Sequence, residues 1–443
     1  MARRRTTCMI AAVAAAAITA TACSSSGGTA SNAGSSAASN AASNTATGST
    51  ASKVTLTFWG TYGNGGNTTQ TDVLSKTIIP AFEQKYPNIT VKYVDIPYDS
   101  LLQKLTTSAA GGQLPDLVRA DIGWVAKFGA LGVFAPLDQK MSNFKTLADA
   151  TYPGTLATNK YGDHYYGLPL DTNTRVEISN PQALAAAGIS SPPATFAQLQ
   201  ADAPKLAAKK ISVFADSGLQ GWNVYPWIWS AGGEVTNPDL TKASGYLDSK
   251  ASVAGVQMLV DLYKEGAIPN LIIGNKGATQ TSDGLPKGQY ASILDGPWMP
   301  GIWAGQYPKF APTYSPVPAG PGGSVSVVGG EDIVMPAQSA HQDAAEKFIE
   351  FTQTPTFQLA MAKTGQMSVV SSLGAQEAKE NPALAPFIKQ LATAKSRPAV
   401  PEAPQIDTVL QNELVKAFQG SESVQDALTN AARQIDPLLT ETK

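Results

Sequence analysis

Val54, Leu56 and Phe58 alternate with Thr55 and Thr57, the period of two expected of a strand with one buried face. The run ends at Gly60-Thr61-Tyr62-Gly63-Asn64-Gly65-Gly66, a glycine-rich turn. The period then lengthens. Leu74, Ile78 and Phe82 recur every fourth residue, which predicts a helix face, with Pro80 set to kink it. A strand over 90–94, a helix over 101–110 capped by Asp99 or Ser100, and a strand over 116–120 follow. Later patterns predict a helix over 252–264, a strand over 289–294 and a Pro- and Gly-rich connection over 308–323. At the end, Val424, Ala427, Leu428, Ala431, Ala432 and Ile435 form one apolar helical stripe. Alternating strands and helices predict a mostly parallel sheet covered by helices, with ligand sites near the carboxyl ends of its strands.

One stretch departs from this even distribution. Within 221–233, Trp222, Tyr225, Trp227 and Trp229 fall inside eight residues, in a chain whose aromatic content is only 8%. Flat apolar faces with polar edges suit the C–H face of a sugar ring, and they suit a buried core equally. Trp222 and Trp298 lie in loop-like surroundings beside Gly and Pro, where ligands are commonly met. Trp227 and Trp229 follow Pro226 toward a helix, and core packing is their expected role.

The amino terminus is of another kind. Arg3, Arg4 and Arg5 precede an apolar run over 9–20 that is too short to span a bilayer, and small residues lead to Cys23. This reads as a signal peptide over 1–22. Ala20-Thr21-Ala22-Cys23 resembles the bacterial lipobox, with Ala20 where leucine is usual, so Cys23 is the expected lipidation site. Residues 23–52, rich in Ser, Ala, Gly, Asn and Thr, lack the apolar surface to fold and predict a tether with a reach of about 30 Å.

Composition narrows the chemistry. A length of 443 residues exceeds one ordinary core, and a formal charge of −2 gives no reason to expect a nucleic-acid partner. Cys8 lies in the signal, so Cys23 is the one cysteine of the exported chain and disulfides are not expected. The two histidines, His164 and His341, stand in no metal-binding pattern, and neither a metal nor a cofactor is expected. The glycine-rich turn lacks the spacing of a phosphate loop, and no Gly-x-Ser-x-Gly elbow is present. Two well-spaced carboxylates would suffice for a glycosidase, and attachment to wall polysaccharide is a third reading.

Several motifs act jointly. Phe82-Glu83-Gln84-Lys85-Tyr86-Pro87-Asn88, Gly112-Gln113-Leu114-Pro115-Asp116-Leu117, Tyr166-Gly167-Leu168-Pro169-Leu170-Asp171, Pro192-Pro193-Ala194-Thr195-Phe196, Gly329-Gly330-Glu331-Asp332 and Thr364-Gly365-Gln366 together resemble bacterial extracellular solute-binding proteins. The resemblance runs from Lys53 to the carboxyl terminus and is nearest the branch serving carbohydrate ABC importers, typified by the maltodextrin-binding protein. Where that family commonly has Tyr-Asn-Lys after the first crossover, this chain has Ile178-Ser179-Asn180-Pro181.

The resemblance implies a two-lobed, periplasmic-binding-protein-like α/β fold of class II, each lobe a sheet flanked by helices, with a cleft between. Lobe one would comprise 53–171 and 330–365, and lobe two 172–329 and 366–443, with crossovers near Asp171, Gly330 and Gly365. It implies a monomer, without catalytic residues, that delivers a sugar to ABC permease subunits while anchored to the outer face of the cytoplasmic membrane. Trp222 and Trp298 fall where the relative has ring-stacking aromatics, with Asp295 beside Trp298. Tyr62, Asp121, Asp171, Asn173, Gly330 and Glu331 complete the expected ligand set, and Gln366 is a further candidate. Asp121 could equally cap a helix, and Asp171 and Asn173 could serve turn backbone.

Overall fold

The computed structural model describes residues 52–64, 68–274 and 281–440. The expected signal peptide, Cys23, the tether up to residue 51, and Gly65-Gly66 lie outside them. Among the described residues no helix is long and apolar enough to cross a membrane.

Two sheets organise the chain. The first takes β1 (Val54–Gly60), β2 (Ile89–Asp95), β3 (Leu117–Asp121), β6 (Gly167–Thr174) and β11 (Val328–Val334) in the order β2-β1-β3-β11-β6. A small pair, β4 (Lys160–Tyr161) and β5 (His164–Tyr165), stands apart. The second sheet has the order β10-β7-β9-β8, from β7 (Val176–Ser179), β8 (Ser212–Ala215), β9 (Tyr290–Asp295) and β10 (Thr313–Ser315). β1 runs parallel to β2 and β3, whereas β11 lies antiparallel between β3 and β6. The sheets are therefore mixed. β9 is buried along its whole length, which is why its six residues carry no alternation.

A single residue, Arg175, separates β6 in the first sheet from β7 in the second. The return passage runs beside it: Thr174 donates its hydroxyl to the Val327 carbonyl at 2.8 Å, and Ser326 donates to the Arg175 carbonyl at 2.7 Å. Each sheet has its own core. Phe58, Phe82, Phe348 and Phe351 pack on the first, and Phe214, Trp227, Leu410 and Leu428 on the second. The terminal helix Val424–Thr440 buries its whole predicted stripe.

Local rules account for most boundaries. Pro80 has no N–H to give the Lys76 carbonyl, and the preceding turn widens into a π segment, Leu74–Ile78, from which Ile79 N–H bonds back to Leu74. Thr195 caps the helix Phe196–Ala207 through Gln198 N–H at 3.2 Å. Asn180 caps Pro181–Ala186 in the same way, a helix start the Asn-Pro pair signalled and the pattern reading passed over. Two expectations need correction. The helix Tyr98–Gly111 starts after Pro97, which places Asp99 in its first turn rather than at the cap. The connection over 308–323 contains β10, held as a strand by pairing with β7.

Candidate functional site

Three carboxylates stand in a row across neighbouring strands. Glu331 of β11 lies opposite Asp121 of β3 on one side and Asp171 of β6 on the other. Like charges so placed repel, and the row persists because two arginines meet it. Arg119, buried, lies 3.2 Å from Asp171 and 2.7 Å from Glu331. Burial works against its charge, but the two carboxylates outweigh that and hold its pKa above the ordinary value. Burial likewise pushes Glu331 up, with Arg119 opposing and Asp171 adding to the rise.

The same guanidinium donates to the Thr61 hydroxyl and lies 4.5 Å from the ring centre of Tyr62, which follows β1. With its amide nitrogen toward Asp171, at 3.1 Å, Gln366 presents its oxygen to Gln70 at 2.9 Å and to Arg119 at 3.2 Å. Asp121 is met from three sides: Gly123 N–H at 2.7 Å, the Tyr98 hydroxyl at 2.8 Å, and Arg397 at 2.7 Å. Both its oxygens are thereby engaged by protein donors, and Asp121 does not cap the helix Val125–Ala130, whose N-cap residue is Trp124 with no side-chain capping bond.

The second sheet contributes aromatic faces. Trp222 lies in the first turn of the helix Gly221–Ser230, and Trp298 is the N-cap residue of Met299–Gln306. The loop surroundings expected for them are thus helix starts, where glycine and proline mark the entry. Their rings stack with centroids 6.1 Å apart and planes at 29°. Trp227 and Trp229, on the same helix as Trp222, are 1% and 4% exposed and belong to the core.

Glycines let these pieces close up. A Cβ on Gly329 would strike both the Trp222 ring and the Asn173 side-chain oxygen. Gly330, with φ 138°, passes against the Asp171 carbonyl, and Gly365, with φ 96°, against that of Pro297. Asp295, at the end of β9, accepts from Gly296 N–H at 2.8 Å and the Thr281 hydroxyl at 3.3 Å. Burial raises its pKa to about 7 against the pull of Arg175.

Buried polar atoms of this region that have no hydrogen-bond partner among the described residues include Tyr62 Oη, Asn173 Oδ1, Trp222 Nε1 and Trp298 Nε1, together with Nε of Arg175 and of Arg397. Leaving such a group unmet costs about 1–3 kcal/mol, so their grouping is the mark of a site built for something polar. The set offers donors, an acceptor, aromatic faces and carboxylates together.

The residues that the sequence reading passed over are the arginines. Arg119 and Arg397 pair with the carboxylates and Arg175 donates to the Trp222 carbonyl at 3.0 Å, yet none was a candidate. A charge inside the otherwise apolar Leu117-Val118-Arg119-Ala120 was the available signal, since a buried charge demands a partner.

Residues 65–359 match the family described as bacterial extracellular solute-binding protein. The maltodextrin-binding protein of Bacillus subtilis is 24% identical over 366 residues, spanning 80% of this chain and 84% of its own. A solute-binding protein of an ABC transporter from Thermotoga lettingae, solved with alpha-D-tagatose bound, superposes with a TM-score of 0.78 at 25% identity, covering 88% of this chain and 100% of its own. The GacH receptor of Streptomyces glaucescens, solved unliganded and with acarbose, gives 0.77 at 23% identity with the same coverage. All three are named as binding proteins or receptors.

Proposed function

The chain belongs to the bacterial extracellular solute-binding proteins, and from that premise we propose that it captures a sugar between two lobes and delivers it to the permease of an ABC importer. Its architecture, two helix-flanked sheets, is the two-lobed periplasmic-binding-protein-like fold of its structural relatives. The observation that carries the sugar reading is the stacked pair Trp222 and Trp298, with unpartnered polar atoms beside it. Sugar rings present apolar faces and hydroxyl edges, and this combination answers both. The relatives that take maltodextrin, tagatose and acarbose support the same ligand class.

In this reading lobe one comprises 53–171 and 330–365, and lobe two 172–329 and 366–443. Trp222, Trp298 and Asp295 meet the ligand from lobe two. Tyr62, Asp171, Gly330 and Glu331 meet it from lobe one, Asn173 from the crossover at the edge of lobe two, and Asp121 orders the rim. Closure is driven by the ligand's greater affinity for the closed form, because a ligand binding both forms equally shifts nothing. The mechanism is recognition, with no bond made or broken in the sugar. Signal cleavage before Cys23 and lipidation of that cysteine would hold the protein on the outer face of the membrane, with 23–52 as the tether.

A thermal-shift and tryptophan-fluorescence screen over neutral mono-, di- and oligosaccharides tests this. The expected result is a saturable response to one sugar class, with the sugar recovered intact. Conversion of the sugar, or a response only to insoluble polysaccharide, would overturn the transport reading.

A further inference from the structure

Arg175 was chosen by no motif, yet it reaches both the passage between the sheets and the aromatic pair. Its backbone is the one residue between β6 and β7, and its carbonyl accepts from Ser326 on the return passage at 2.7 Å. Its guanidinium is buried among groups of the second sheet. Nη1 donates to the Trp222 carbonyl at 3.0 Å, and Nη2 donates to both Asp216 oxygens, at 2.9 and 2.8 Å, and to the Leu294 carbonyl. The guanidinium carbon lies 5.5 Å from the centre of the Trp222 ring.

The contact to Trp222 has a covalent cause. A helix residue donates its N–H to the carbonyl four positions earlier, and Pro226, inside the helix Gly221–Ser230, has no N–H to give. The Trp222 carbonyl is left without its helical donor, and Arg175 supplies one. Asp216 closes the arrangement, for it also accepts from Asn223 Nδ2 at 2.6 Å, next to Trp222, and from Ser217 N–H at 2.8 Å. Neutralising a buried arginine would take only Asp216. Beyond that pairing, Nη1 goes to Trp222 and Nη2 also to Leu294, each at or beside a residue of the candidate site, while Nε has no partner among the described residues.

We propose that Arg175 is a positioning residue that sets the ring of Trp222 and ties it to the strands on which the lobes turn. Ligand stacking on Trp222 is thereby transmitted through one side chain to the crossover. Transmission rests on the sugar reading above; the position of the ring does not.

Two measurements separate them. Stacked indoles give an exciton couplet in far-ultraviolet circular dichroism, which Trp222→Phe and Trp298→Phe should each abolish. Without ligand, Arg175→Lys, which keeps the charge but loses the planar fork, should weaken that couplet in a protein that still melts cooperatively. Asp216→Asn loosens the same guanidinium without removing it and should act in the same direction, so the test survives if one variant fails to fold. An unchanged couplet in either folded variant overturns the positioning role.

The second measurement is a maltotriose titration. Arg175→Lys should weaken binding about tenfold in the parent and produce no further loss in a Trp222→Ala background. Equal losses in both backgrounds would mean that Arg175 acts independently of Trp222 and would overturn transmission. If the parent protein itself ignores maltotriose, the sugar reading fails for that ligand, while the couplet still decides the position of the ring.

Discussion

The indole of Trp222 stacks on that of Trp298 at 6.1 Å, although one belongs to a helix after β8 and the other to a turn after β9. The two rings meet because β8 and β9 are parallel neighbours whose ends point the same way. The segments leaving the two strands therefore emerge on one side. A flat double aromatic surface results, with each indole nitrogen buried and unmatched among the described residues.

Removing one ring should weaken capture of whichever neutral sugar the parent binds. Trp222→Ala should cost about 1–2 kcal/mol, roughly five- to thirtyfold in Kd, from lost stacking and apolar contact. Isothermal titration of a folded variant checks this, and unchanged affinity would remove Trp222 from the site.

Anionic sugars should be refused. Asp171, Glu331 and Asp295 line the candidate site, and the nearby guanidiniums of Arg119 and Arg175 are already paired with Asp171, Glu331 and Asp216. A uronic acid would bring another carboxylate to a place whose neighbouring cations are already engaged. In a competition melt, galacturonate oligomers should give no shift where the corresponding neutral oligomers do; tight galacturonate binding would refute the charge argument.

Arg397 and Asp121 form a nearly buried ion pair, with side chains 12% and 8% exposed. Arg397→Gln leaves Asp121 buried against Glu331 without its counter-charge, and stability should fall by about 3 kcal/mol. Urea unfolding measures the loss. The double variant Arg397→Gln, Asp121→Asn should recover part of it, because the stranded charge is gone, whereas strict additivity would show that the pair is not coupled.

Glu177 predicts a pH effect. It is buried on β7, where burial pushes its pKa from 4.5 up to about 8 while the hydroxyls of Ser315 and Ser292 pull the other way. A pKa raised on folding means that the folded state holds the proton more tightly. Its contribution is complete below about 4.5 and is lost as pH rises through about 8. Parent stability should therefore fall across that window relative to Glu177→Gln, and the variant should be the more stable at the alkaline end. A parent-minus-variant difference in unfolding free energy that stays flat with pH would contradict the assignment.

The amino-acid sequence by itself determined what depends on near neighbours. β1 to β3, the apolar stripe of Val424–Thr440 and the helix start at Thr195 follow from periodicity and capping, which act within a few residues. Joint motifs along the chain carried the family and its α/β class. Trp222 and Trp298 were selected as candidates from their types and surroundings, but nothing local says that they stack.

Tertiary structure alone decided which charges meet. Arg119 finds Asp171 across 52 positions, and Arg397 finds Asp121 across 276. No sequence period records such pairings, because they arise from strand order: inserting β11 between β3 and β6 aligns three carboxylates that the chain keeps far apart. The same holds for Arg175. Pro226 announced a missing hydrogen bond in the sequence, and only the folding of two sheets about one residue brought the donor that replaces it.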